Sequence, residues 1–193
     1  MNWTRTETVG ESTSHVATGR DWTSAPLAVL IRHIVDTHHR YLRDALPRLT
    51  QLAEEVVQAH LEDHGGTLLP VQQTIQELRG ELESHMWKEE MVLFPLVIGL
   101  EEARMAGRSA PPAHCGSVLN PIRVMEREHA SAGRALAELR RLTSDYTLPG
   151  DAGQSYRALY AGLAELEADL HQHIHLEDNT LFPRAAELEA ALA

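Results

Sequence analysis

Apolar residues recur at steps of three and four along most of the chain, the spacing of helices with one buried face. From Pro26 the stripe is Leu27, Ile31, Ile34/Val35, Leu42, Leu46 and Leu49. Ser24 is a candidate cap, with Pro26 in the first turn. Pro47 falls inside this pattern and predicts a kink or restart, and Gly65-Gly66 predicts a break. A second helix is expected from Pro70 to Gly99, on Ile75, Leu78, Leu82, Met86 and Leu93. A loop with Gly107, Pro111-Pro112, Gly116 and Asn120-Pro121 comes next. The third helix starts near Pro121, on Ile122, Met125, Ala132, Leu136 and Leu139. After Pro149-Gly150 and Gly153, the fourth runs from Gln154 to Leu181, on Leu159, Leu163, Leu166, Leu170 and Leu181. No strand pattern interrupts them. The expected fold is all-α, an up-down four-helix bundle over residues 24–187. A flexible Thr/Ser-rich tail is expected at 1–23 and a short C-terminal end at 188–193.

The second and fourth helices share a motif. His85, Glu89 and Leu93-Phe94-Pro95 match His173, Glu177 and Leu181-Phe182-Pro183, 88 residues on. Each copy is preceded by a helix carrying another histidine, His39 before the first and His129 before the second. The chain reads as two helical hairpins related by an approximate two-fold axis.

Positions i and i+4 of a helix lie about 40° apart around its axis and about 6 Å apart along it. His85 and Glu89 stand in register with Leu78, Leu82 and Leu93, and His173 and Glu177 with Leu166, Leu170 and Leu181. These polar groups therefore face the core. One buried histidine is usually an ordinary core residue, and one H-x3-E pair an ordinary surface pair. Two matching copies in core register are different, because a buried glutamate needs a positive partner. No Lys or Arg occupies the middle of the stripes, which leaves a metal cation. His129 lies on the face of Ile122, Met125 and Leu136, and His39 on that of Val35, Leu42 and Leu46. The candidate ligands are thus His39, His85, Glu89, His129, His173 and Glu177. Imidazole with carboxylate suits iron, manganese or zinc. His38 competes with His39, because aligning Ile31-Arg32 with Ile122-Arg123 matches His38 to His129. His60, about 31 Å beyond His39 along a continuous helix, shares the site only if the chain turns back near Pro47. Glu81 and Glu128 are either supports for the ligands or proton carriers, or ordinary surface glutamates. His171 and His175 face away from His173 and are expected in solvent.

Composition narrows the partners. A net charge of -11 without a basic run argues against nucleic acid. No segment approaches the ~20 apolar residues of a membrane span. The first residues form no apolar leader, and the single cysteine, Cys115, supports neither a disulfide framework nor a thiolate metal site. Together these predict a cytoplasmic protein.

The segments from Asp21 to Leu27, from Ser84 to Glu90 with Leu93-Phe94-Pro95, from Val124 to His129, and from His173 to Glu177 with Leu181 to Ala185 resemble the hemerythrin-like HHE cation-binding proteins. The closer resemblance is to the di-iron proteins that repair iron–sulfur clusters. It spans about residues 21–187. It implies a non-haem centre of two iron ions with oxo and carboxylate bridges, and selects His39 over His38 by its distance from Leu46-Pro47. It implies a stress role, with nitric oxide or oxygen species as small ligands, iron–sulfur proteins as clients and an electron donor. Reduction of nitric oxide and binding without turnover, as a sensor or store, are both compatible with it. Full-length members carry an N-terminal domain with a vicinal cysteine pair; no cysteine precedes Asp21 here. Four residues after His129, where oxygen carriers place another histidine, stands Gly133. Fewer histidines leave open positions on the metal, which suits reactive chemistry.

Overall fold

A computed structural model describes residues 21–112 and 114–192, so most of the expected tail lies outside the described residues. Among the described residues the regular structure is helical, without strands. The first hairpin comprises α1 (Leu27–Ile34), a π-helical turn (Val35–His39), α2 (Arg40–Lys88), a second π turn (Glu89–Leu93) and α3 (Phe94–Met105). The second comprises α4 (Leu119–Leu142), α5 (Gln154–Leu176), a third π turn (Glu177–Leu181) and α6 (Phe182–Ala190).

A straight helix of the length of α2 would span roughly 70 Å. Yet His39 and Glu89, which flank it, approach to 3.3 Å. The rod is broken at His60, whose dihedrals (φ -129°, ψ 20°) are not helical, and its two arms form one hairpin. The expected break at Gly65-Gly66 is therefore corrected: both lie in helix. Gly65 is buried, and a Cβ there would come within 3.1 Å of Leu61 Cδ1. This glycine is part of the helix, not a turn. Pro47 also sits inside α2 without interrupting it. Its ring is exposed, so the hydrogen bond it cannot make is lost where water reaches the backbone.

The start of α1 corrects a further expectation. Ser24 caps nothing there; its hydroxyl bonds to Asp21. The N–H groups of Leu27 and Ala28 instead donate to the carboxylate of Glu101, at 2.7 and 2.9 Å. In the second hairpin, Val118 N–H, at the cap of α4, donates to Glu189 at 2.8 Å. Glu101 and Glu189 are separated by the same 88 residues as the sequence repeat. A carboxylate at a helix N-terminus satisfies free N–H groups and complements the dipole. The two-fold relation thus extends from the core to the helix ends.

The apolar core is in two parts. One is built on Leu42, Leu49, Leu78, Leu136, Leu163 and Leu170. The other is built on Leu30, Ile34, Phe94, Met125, Leu181 and Phe182. Histidine and glutamate side chains form the polar layer between them. No helix among the described residues is long and apolar enough to cross a membrane.

Candidate metal centre

The polar layer is placed by the π turns. Such a turn accommodates one extra residue in a helix and rotates the residues beyond it. His39 closes the first, while Glu89 and Glu177 open the other two. The extra residue explains the ambiguity between His38 and His39. Counting from Ile31 and Ile122 in perfect helix matches His38 to His129, and the first π turn moves His39 into that position.

Six side chains converge. His39, Glu89, His173 and Glu177 form one group whose nearest donor atoms all lie within 4.8 Å of one another. His85, Glu89, His129 and Glu177 form a second group by the same measure. All six residues are buried, and the two groups share both glutamates. Every imidazole turns Nε2 inward: His39 and His85 lie 3.3 and 3.4 Å from Glu89, and His129 and His173 lie 3.2 and 3.1 Å from Glu177. His85 and His129 approach to 3.2 Å.

The outward nitrogens are held by a ring of carboxylates. His39 Nδ1 meets Glu90 at 2.6 Å, His85 Nδ1 meets Glu128 at 3.0 Å, and His129 Nδ1 meets Asp178 at 2.9 Å. An Nδ1–H donated outward leaves the Nε2 lone pair free on the inside, the tautomer a metal ligand needs. Glu128 thus orients the His85 ring, and Lys88 anchors Glu128. Glu81 is exposed, at a small cavity lined by His85, Glu128, His129 and His173. Sequence reasoning missed Glu90 and Asp178. Their signal was present: each stands directly after the glutamate of its motif copy.

His173 is the exception, its Nδ1 being buried without a hydrogen-bond partner. The repeat position of Glu128, one residue before the helix histidine, holds His38 in the first hairpin. His38 is buried, bonds Asp169 at 2.9 Å, and stacks on the His173 ring at 5.3 Å. Of the two neighbouring histidines, His39 alone enters the centre. The phenylalanines of the motif are also accounted for, since Phe94 stacks on His39 and Phe182 on His129. His60 belongs elsewhere, and His171 and His175 are exposed as expected.

Protein atoms alone leave this layer unbalanced. Both Glu89 oxygens, Glu177 Oε2 and His39 Nε2 are buried without hydrogen-bond partners. Burial and the charge of Glu177 push the Glu89 carboxyl well above the usual range. Burial acts on Glu177 too, but His173 and His129 hold it well below. Burial depresses His39 and His85 to about 4. It opposes the charge of His129 as well, yet the hydrogen bond to Asp178 and the nearby charge of Glu177 raise that imidazole to about 9. Cations between the groups would satisfy the inward lone pairs together and offset the cost of burying two carboxylates. The donor set fits a metal site with two adjacent positions and two shared carboxylates.

A helical bundle whose facing helices bring buried histidines and glutamates together is, in class, a cation-binding bundle protein. The family described as the Hemerythrin HHE cation binding domain matches residues 30–185, and the chain belongs to that family. Similar proteins are the Iron-sulfur cluster repair protein YtfE of Edwardsiella ictaluri, 45% identical over 86% of this chain and 69% of its own length, and that of Musicola paradisiaca, 41% identical over 89% and 71%. A Probable iron-sulfur cluster repair protein of Haemophilus influenzae is 41% identical over 86% and 68%.

Proposed function

We propose that the chain is an iron–sulfur cluster repair protein that works through two non-haem iron ions. The observation that carries this reading is the pair of four-residue groups sharing Glu89 and Glu177. His39 and His173 would hold one ion, His85 and His129 the other, and the glutamates would bridge them. The ion pair would supply redox chemistry, and positions open to nitric oxide or oxygen species. Residues 24–187 are the unit that carries this function.

The protein's own groups have separable tasks. Glu90, Glu128 and Asp178 hold their imidazoles in the ligating tautomer. Phe94 and Phe182 fix two of the ring planes and keep water from that side. The names of the similar proteins support the choice of client, an iron–sulfur protein with a damaged cluster. A hydro-lyase whose cluster has been damaged by nitric oxide provides the test. Iron-loaded protein is expected to restore its activity, and Glu89→Ala or His173→Ala protein to restore none above the protein-free control. Equal repair by these variants would overturn the reading.

A further inference from the structure

His60 lies outside the dinuclear centre, and the far end of the bundle gives it company. His60 and His64 are separated by four residues in α2, their ring centroids 5.9 Å apart. Asp151 comes from the connection between α4 and α5, 87 residues along the chain from His64. His64 Nε2 lies 2.9 and 3.1 Å from its two carboxylate oxygens. One donor atom from each of the three lies within 4.8 Å of the others. The buried ring of Tyr156 supports both imidazoles edge to face, at 5.4 and 6.0 Å.

The geometry points to a mononuclear metal site formed by His60, His64 and Asp151, distinct from the dinuclear centre. Donors bound to one ion at about 2.0–2.1 Å stand roughly 3–3.4 Å apart. The observed spacing therefore closes by about 1–2 Å at most. The side chains have room for it: His64 is 26% exposed and Asp151 54%. Two imidazoles with one carboxylate select a first-row divalent ion such as Zn²⁺ over Mg²⁺ or Ca²⁺, with water in the remaining positions. An exposed His–Asp ion pair alone contributes little to stability and needs only one histidine. The second histidine stands at the single non-helical residue of α2. An ion here ties the broken helix to the α4–α5 connection, about 30 Å along the first arm from His39.

Zn²⁺ is the probe, added to protein whose dinuclear centre is already loaded with iron, with both metals measured after desalting. The native chain is expected to retain one zinc per chain with its iron unchanged, and to melt at a higher temperature. His64→Ala and Asp151→Asn are each expected to weaken zinc binding by more than about tenfold, while His171→Ala binds as the native chain does. All three should keep their iron and, without zinc, their helical spectrum. No retained zinc, zinc gained only as iron is lost, or equal binding by the Asp151→Asn protein would overturn the site.

Discussion

His85 and His129 each have a carboxylate on Nδ1, whereas of His39 and His173 only His39 does. Such partners fix ring orientation and raise basicity, and losing one typically costs about 10–100-fold in metal affinity. The two halves of the centre are therefore unequal. A chelator is expected to remove iron in two phases, the ion between His39 and His173 leaving first. Glu128→Gln should weaken the other ion and bring the phases together; a biphasic trace unchanged by that substitution would contradict the asymmetry. The metal-free protein has its own signature. Free histidine titrates near 6.5, whereas folded His39 and His85 titrate at about 4. Their depressed values contribute stability that is present above 6.5 and lost as the pH falls toward 4. His129, raised to about 9, contributes stability present below 6.5 and lost as the pH climbs through 9. Glu89, pushed upward, opposes the acid arm, and Glu177, held well below the usual range by His173 and His129, adds to it. Urea unfolding of the metal-free protein should show greatest stability near neutral pH, and a flat profile from pH 4 to 9 would refute this. At this scale the six inward residues were legible, because charge in an apolar register demands an explanation. Glu90 and Asp178 were not singled out, because an acid beside a ligand looks like any solvated helix residue until the partner helix is in place.

At the scale of the elements, hydrophobic periodicity located the four rods but not how each rod is modulated. Helical spacing assumes one rotation per residue, so it could not reveal the π turns that separate His39 from His38 in orientation. Glycine suggested a break at Gly65-Gly66 because it is costly in a helix, yet the break falls at His60 and both glycines continue the helix. Gly162 is a stricter case. A Cβ there would stand 2.7 Å from Leu49 Cδ2, on a fully buried side chain between α5 and α2. Gly162→Ala is expected to destabilise the bundle by about 1–3 kcal/mol through overpacking, read by denaturant midpoint. The turn after α4 carries the opposite lesson. Ser144, Asp145 and Tyr146 all have positive φ, at 48°, 56° and 58°, with no glycine to mark the site. Side chains lock it instead: Arg140 binds Asp145 and Glu167, and Tyr146 donates to Glu167. Ser144 contributes backbone bonds to the turn. Ser144→Gly should therefore stabilise the protein by up to about 1 kcal/mol as the left-handed strain is relieved; a loss of stability would argue against a strained turn.

Across the whole molecule, one 88-residue repeat relates His85 and Glu89 to His173 and Glu177, Phe94 to Phe182, the outer acid Glu90 to Asp178, and the cap Glu101 to Glu189, while His39 and His129 stand 90 residues apart. The histidine and glutamate motif was legible because its residues are rare in a core. The caps were not, because they join helix ends that are distant in sequence. The departures from symmetry are as informative: His38 stands where the second hairpin has Glu128, and the His60 break lies between the arms of the first hairpin alone. The inward histidines and glutamates with their outer acids form one layer between the hairpins, and the proposed function places two cations in it. Elemental analysis of protein purified without oxygen, with Mössbauer spectra of the same sample, tests that claim most directly. Two irons per chain, lost together in Glu89→Ala or Glu177→Ala protein, is the predicted result. A single iron, zinc in its place, or two irons unaffected by either substitution would contradict it.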